Sequence, residues 1–331
     1  MKKQVIAISL AAMTALSLMA CSGQKSEGTA SSDAKVESKD TKDGDLKETG
    51  KLVIYSPLTE SMIDEMITKF EEETGIEAEC LAMGTGDALK RIETEADNPQ
   101  ADVLWSGTIG TVKNKSEYFA DYKCANEDAF YDEYKNKEGN LTRFDTIPSV
   151  IMVNTDLIGD IKVEGYEDLL NPELKGKIAF AEPSASSSSF EHLVNMLYAM
   201  GNGDPDKGWD YVEKLVDQLD GKLLGGSSAV YKGVADGEYT VGLTFEQGAA
   251  QYVGAGSPVK VVYMSEGVIF RGDGAYIIKN CANERSAQIF LDWLTDKETQ
   301  EFMNNTQYRR SIRKDVEAGD AMKPMSEIKV I

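Results

Sequence analysis

The chain holds one histidine, His192, and four cysteines with no C-x-x-C pair in 331 residues. Imidazole-rich metal centres, zinc ribbons and a histidine proton relay are thereby set aside. Basic charge is also scarce: 35 Lys and Arg stand against 56 Asp and Glu, a formal net charge of −21. Nothing in that balance would hold a phosphate backbone, so nucleic acid is excluded as a partner. A G-x-S-x-G elbow and a Walker A loop are missing, and Gly84-Thr85-Gly86 lacks the third glycine of a dinucleotide fingerprint. A serine hydrolase would have to join His192 to one of many serines without a supporting motif, and His192, on a helix after a serine run, reads as a surface or cap residue. The expectation is a protein that is not an enzyme, with no catalytic residue, resident metal or cofactor.

What is present starts with an address. Lys2 and Lys3 precede the uncharged stretch from Val5 to Ala20, which is short for a membrane span and has the pattern of a secretory signal over residues 1–20. Its end, Leu18-Met19-Ala20-Cys21, resembles a bacterial lipobox, which implies cleavage before Cys21 and lipid attachment to it. From Ser22 to Gly50 there is no aromatic residue and almost nothing apolar, so residues 21–50 read as a lipidated cysteine and a disordered tether. As a flexible coil it spans on the order of 30 Å root-mean-square. The expected location is the cell envelope, on the outer face of the cytoplasmic membrane or facing a periplasm. Cys80, Cys124 and Cys281 form an odd set at irregular spacing; they make no disulfide framework, although any one pair could bridge.

Beyond the tether, strand and helix patterns alternate. Leu52 to Tyr55 is a β-rich run, then Met62, Ile63, Met66, Ile67 and Phe70 recur at helical spacing until Gly75. Ile76–Leu81, a helix through Ala88, Leu89 and Ile92, and Asp102–Trp105 continue the rhythm, followed by Ser149–Val153 and Ile178–Phe180. Helices are then expected around Leu193–Met200, Trp209–Leu219 and Val230–Ala235, a strand at Tyr239–Leu243, β-rich runs at Val259–Met264 and Ala275–Ile278, and two helices between Glu284 and Asn304. Such alternation implies an α/β fold of two lobes, each a mainly parallel sheet flanked by helices, with the tail returning to the first.

In open α/β sheets ligands gather where strand ends meet helix N-termini. Those loops here are rich in Ser, Thr and Gly: Ser56-Pro57, Gly84-Thr85-Gly86, Ser106-Gly107-Thr108, Pro183 to Ser189, and Gly226-Ser227-Ser228. Any one of them alone reads first as caps and turns. Together they form a cradle of N–H groups, hydroxyls and helix dipoles for an anion such as a phosphate or phosphonate. Tyr308-Arg309-Arg310-Ser311-Ile312-Arg313-Lys314 adds positive charge suited to bidentate oxyanion binding. Trp105, Tyr231, Phe245 and Tyr263 are expected in the core or lining a cleft.

Lys51 to Pro57, Phe70-Glu71-Glu72-Glu73-Thr74-Gly75-Ile76, Gly84-Thr85-Gly86 with Arg91-Ile92, and Asn98 to Trp105 resemble the solute-binding proteins of bacterial ABC importers. Val234 to Leu243, Gly256-Ser257-Pro258-Val259, Asp273-Gly274-Ala275 and Arg309 to Lys314 continue the likeness, which covers most of residues 51–318. The group is the one labelled ferric-iron binding, with members for 2-aminoethylphosphonate and sugar phosphates. The resemblance implies a periplasmic-binding-protein type II fold: residues 51–153 plus 269–331 as lobe 1, 154–268 as lobe 2, joined by two crossing strands and closing on a solute. It implies a monomer that delivers its solute to a membrane permease. Iron-binding relatives carry a tyrosine pair where this chain has Phe245 and Glu246; a phenyl cannot ligate, so a small anionic organic solute is favoured over ferric iron. The expected ligand-binding residues are Ser56, Pro57, Thr85, Gly86, Ser106, Gly107, Ser184, Ser186, Ser187, Ser228, Tyr231, Glu246, Arg309 and Arg310. Ferric capture by Glu246 with Tyr231 or Tyr263 is the alternative, and a cationic solute is a third.

Overall fold

The computed structural model describes residues 50–331; the expected signal, Cys21 and nearly all of the tether lie outside the described residues. The chain opens with β1 (Lys51–Ser56), followed by α1 (Glu60–Thr74). Met62, Ile63, Met66 and Phe70 form the buried face of α1, and Gly75, at φ 72°, ends it by donating its N–H to the Glu71 carbonyl. The unit repeats as β2 (Glu77–Ala82) and α2 (Thr85–Thr94), and then β3 (Val103–Thr108) runs into the short α3 (Ile109–Lys113). After β4 (Thr142–Arg143) come β5 (Ile147–Asn154), β6 (Ile178–Ala179), α4 (Ser187–Met200), α5 (Trp209–Gln218) and α6 (Ser227–Ala235). The chain continues through β7 (Val241–Phe245), α7 (Glu246–Gly254), β8 (Val259–Val262), β9 (Phe270–Arg271) and β10 (Asp273–Ile277). Two last helices, α8 (Glu284–Leu294) and α9 (Lys297–Thr306), precede the C-terminal segment.

The strands form two five-stranded sheets. The first has the order β2-β1-β3-β10-β4; the second has the order β6-β7-β5-β8, with β9 also pairing β5. Because successive side chains along a strand face opposite sides, each sheet buries both faces. Leu52, Ile54, Val103 and Trp105 pack with Phe70 of α1 and Phe290 of α8, whereas Tyr55 and Leu104 pack with Leu89 and Ile92 of α2. In the second sheet Ile151, Val153 and Leu243 meet Met196 of α4 and Leu215 of α5, and Val150 and Met152 meet Val230 and Val234 of α6. The C-terminal segment spans both: Arg310 bridges Thr146, Val330 bridges Val268, and Ile328 enters the core of the second sheet.

The α/β class and the two helix-covered sheets match the expectation; the strand directions do not. In the first sheet β1 runs parallel to β2 and β3, but β10 is antiparallel to β3 and β4. In the second only β6 and β7 are parallel, and β5 runs against β7, β8 and β9. The reason is connectivity. A parallel neighbour needs a helical crossover within its own sheet, whereas β5 and β10 each enter from the other half of the molecule. The sequence pattern also passes over α7, a Gly/Ala-rich helix that starts directly after β7 with Phe245 at its N-cap. Cys80, Cys124 and Cys281 are free thiols, and burial pushes Cys80 and Cys281 up to about 12. Among the described residues no helix is long and apolar enough to cross a membrane.

Candidate functional site

A cavity of about 440 Å³ lies between the two sheets. Its first wall is made by the turn after β1, the start of α2 and the end of β3: Pro57, Leu58 and Thr59, then Thr85, then Ser106 and Gly107. The opposite wall is made by the starts of α4, α6 and α7, through Ser187, Ser188, Glu191, Ser227, Phe245 and Gln247. The passage between the sheets supplies Ile147, Ser149, Arg271, Gly272 and Asp273, and the C-terminal segment supplies Arg309. Five helices of nine residues or more thus begin at this cavity. Each N-terminus carries roughly half a positive charge and unpaired N–H groups. No side chain caps α1, α2, α6 or α7, so their first-turn N–H groups stay open to other acceptors; in α4 Ser186 accepts from the Ser189 N–H.

The end of β3 has unusual backbone geometry. Ser106 sits at φ 77° and Gly107 at φ 131°. A left-handed serine costs on the order of 1–3 kcal/mol and persists only where the surroundings hold it. Here Ser106, 2% exposed, donates its hydroxyl to Asp273 Oδ2 at 2.7 Å. A Cβ on Gly107 would stand 3.1 Å from Thr85 Cγ2 and 3.3 Å from Val112 Cγ2, so glycine is required for both conformation and space.

The charges on the wall are balanced. Arg309 Nη1 is held by Asp145 and lies 3.5 Å from Asp273 Oδ2, while its Nε makes no hydrogen bond. Burial works against the Arg309 charge, yet the two carboxylates keep its pKa above the ordinary value. Asp145 has no exposed surface; burial raises its carboxyl to about 6, with Asp273 adding to the rise and Arg309 opposing it. Arg271 Nε pairs with Glu191 Oε2 at 2.6 Å, and burial raises the Glu191 pKa against the pull of that arginine. With two cations, two carboxylates and seven hydroxyl side chains on the wall, hydroxyls outnumber charges of either sign.

Of the residues singled out in the sequence, Pro57, Thr85, Ser106, Gly107, Ser187 and Arg309 line the cavity. The others are placed elsewhere for identifiable reasons. Ser56 is buried, donating to the Trp105 carbonyl at 2.8 Å and accepting from the Leu58 N–H, so it shapes the turn. Ser184 bonds Glu182, and Ser186 is the α4 cap. Ser227, at the first position of α6, lines the cavity where Ser228 does not; Gly86 is likewise displaced by Thr85. Tyr231 packs on Phe245 and Tyr252 behind the wall. Glu246 and Arg310 close on each other in two hydrogen bonds of 3.0 and 2.5 Å, each 3% exposed or less. Tyr263 donates to the same carboxylate, and Arg310 also donates to the Lys323 carbonyl at 2.7 Å.

His192, expected at the surface, is fully buried. It hydrogen-bonds the Thr244 carbonyl through Nδ1 at 3.0 Å, between Tyr166 and Phe180, and burial lowers its pKa to about 4, which keeps it neutral. Thr59, Ser149, Glu191, Gln247, Arg271 and Asp273 line the site without having been expected among the ligand-binding residues. The legible signal for the last two was the charged break Arg271-Gly272-Asp273 just before the β-rich run at Ala275–Ile278. No comparable signal marked Gln247, because α7 itself is weakly patterned. Among the described residues no cluster of three or more His, Cys, Asp or Glu side chains could hold a metal ion.

A mixed α/β pair of sheets around a central cleft has known counterparts. The chain is 29% identical, over 85% of its length and 93% of the other chain, to a solved structure described as a two-component system protein mediating signal transduction, at a TM-score of 0.72. It is 25% identical, over 86% of its length and 92% of the other, to the periplasmic binding protein AfuA from Actinobacillus pleuropneumoniae with fructose-6-phosphate bound, at a TM-score of 0.71. Among curated proteins, iron uptake protein A1 of Synechocystis is 23% identical over 83% of this chain and 79% of its own length. The family model for bacterial extracellular solute-binding proteins matches residues 65–329. The cleft between two sheets, the helix starts that surround it and this match lead to one conclusion: the chain belongs to the bacterial extracellular solute-binding protein family, whose members serve as capture components of ABC importers.

Proposed function

We propose that this protein captures a small organic phosphate or phosphonate in the cleft and delivers it to an ABC permease. It would do so as a monomer tethered to the membrane through a lipid on Cys21 after removal of residues 1–20. The observation that carries this reading is the convergence of α1, α2, α4, α6 and α7 on one cavity with Arg309 and Arg271 on its wall. N–H groups at helix starts, hydroxyls and guanidinium forks together suit a tetrahedral oxyanion. The relative with fructose-6-phosphate bound supports the same class. Ferric capture is less well supported: Phe245 cannot ligate, and Glu246 is committed to Arg310. The balanced wall also lacks the carboxylate excess that a cationic solute would call for.

Capture is a population shift toward a closed form that the solute alone bridges. The lobes move about the two segments that pass between the sheets, the one leading into β5 and the one from β9 to β10. Calorimetric titration against a panel of phosphonates and sugar phosphates is expected to find at least one saturable ligand. Failure of every phosphorylated compound, together with ferric citrate binding and a visible charge-transfer band, would overturn the reading in favour of iron.

A further inference from the structure

The two carboxylates that hold Arg309 come from the two segments that pass between the sheets. Asp145, two residues before β5, accepts from Arg309 Nη1 and, at 2.9 Å, from the main-chain N–H of Asp273. Asp273 opens β10 and is tied to the cavity wall through the Ser106 hydroxyl. The neighbouring Thr146 donates its N–H to the Arg310 carbonyl at 3.0 Å. One fully buried carboxylate therefore joins both crossing segments to the C-terminal segment. It is not on the cavity wall, and it meets the cavity through Arg309 and Asp273, which are.

We propose that Asp145 is a positioning residue that makes anion capture at Arg309 proton-linked: an anion seated on the guanidinium competes with Asp145 for it, and Asp145 takes up a proton in exchange. This rests on the reading of the cavity as an anion site. The charged groups facing Asp145 are Arg309 from the C-terminal segment and Asp273 from β10; Arg271 and Glu191 form a separate pair on the wall. Burial, the largest influence, and the Asp273 carboxylate raise the Asp145 carboxyl to about 6, against the pull of Arg309 and of the hydrogen bond from the Asp273 N–H. An anion that shares the Arg309 charge weakens that pull, so the bound state holds the proton more tightly than the empty one. Linkage then requires anion affinity to rise as pH falls through this range. The exchange also explains how a cleft built around a neutralised arginine can accept a negative solute: the site discharges the competing carboxylate and keeps the cation.

Sulfate is the probe, because it does not titrate between pH 5 and 8. Calorimetry of the full chain in buffers of different ionisation enthalpy reads proton uptake directly. For a one-unit rise in the Asp145 pKa on binding, uptake is about half a proton per sulfate near pH 6.5, and affinity is about tenfold tighter at pH 5 than at pH 8. Asp145→Asn should abolish both signals, since the amide retains an acceptor for the Asp273 N–H but cannot titrate. Sulfate binding without proton uptake, or the same pH dependence in Asp145→Asn, overturns the linkage and leaves the anion site standing. Absence of sulfate binding at every pH overturns both. Should Asp145→Asn fail to fold, Glu191→Gln decides: retained uptake supports Asp145, and lost uptake assigns the proton to Glu191 and overturns the proposal.

Discussion

Arg309 and Arg310 are adjacent in sequence and both more than nine-tenths buried, yet they serve opposite ends. Arg309 lines the cavity; its Nη1 is held by Asp145 behind the wall and lies near Asp273 on the wall, and its Nε makes no hydrogen bond. Arg310 points away, and Glu246, Tyr263 and the Lys323 carbonyl engage it. Backbone geometry separates them: Tyr308 at φ 55° turns the chain, and the main-chain bridge from Arg310 to Thr146 fixes which side chain faces which way. Burial alone therefore does not identify a binding arginine. What distinguishes one is an unused donor on a residue of the cavity wall.

The largest expected effect is at Arg310. Arg310→Met leaves Glu246, 1% exposed, without its counter-charge, and removal of one partner of a buried pair costs about 3–5 kcal/mol. Denaturant unfolding should show that loss, and Glu246→Gln combined with Arg310→Met should recover most of it. A stability close to wild type in the single variant would mean that the pair does not hold the fold, and the contrast between the two arginines would collapse.

Arg309→Met is expected to act on the solute first. Loss of a charged partner to a bound anion costs about 2–4 kcal/mol, a drop in affinity of some thirty- to a thousandfold. Its stability loss should also depend on pH in a way that Arg310→Met does not predict. Asp145, already raised to about 6 in the folded protein, has an escape by protonation. A group whose folded pKa is raised favours folding below its unfolded value and loses that contribution as pH rises through the folded one. Arg309→Met should thus be less destabilised at pH 5 than at pH 8, and equal losses at both would show that Asp145 gives up no charge.

His192 offers the next test, on the Glu246 side of the cleft, through its bond to Thr244. Burial lowers its pKa to about 4, so the unfolded chain takes up a proton below pH 6.5 that the folded one refuses. The stabilisation is full above pH 6.5 and falls away toward pH 4, by about 3 kcal/mol for a shift of that size. His192→Gln should flatten this limb of the stability profile; an unchanged slope would mean that carboxylates alone set acid sensitivity.

The same contrast explains how much was legible beforehand. Helical spacing from Met62 to Phe70 and the β-rich runs marked sheets and helices because burial imposes those periods. Glycine- and hydroxyl-rich turns marked the rim for the same local reason. Partner choice between side chains far apart in sequence leaves no such trace: Glu246 and Arg310 are 64 residues apart, and Ser106 and Asp273 are 167 apart. A serine at a helix start was readable, whereas its orientation was not. The antiparallel course of β5 and β10 likewise depends on which sheet a strand joins, a non-local property.

The smallest expected effect isolates that orientation. Ser227 and Ser228 occupy the first two positions of α6, and only Ser227 lines the cavity. A helix turns about 100° per residue, so one hydroxyl faces the cleft while its neighbour faces out. A single neutral hydrogen bond contributes about 0.5–1.5 kcal/mol. Ser227→Ala should therefore weaken the identified solute by about two- to tenfold, and Ser228→Ala should leave its affinity unchanged. Ser184, held by Glu182, should behave as Ser228 does. If Ser228→Ala matched Ser227→Ala, the solute would be held by the charge of the helix start as a whole rather than by a directed hydroxyl. The site's selectivity would then rest on Arg309 and the N–H groups alone.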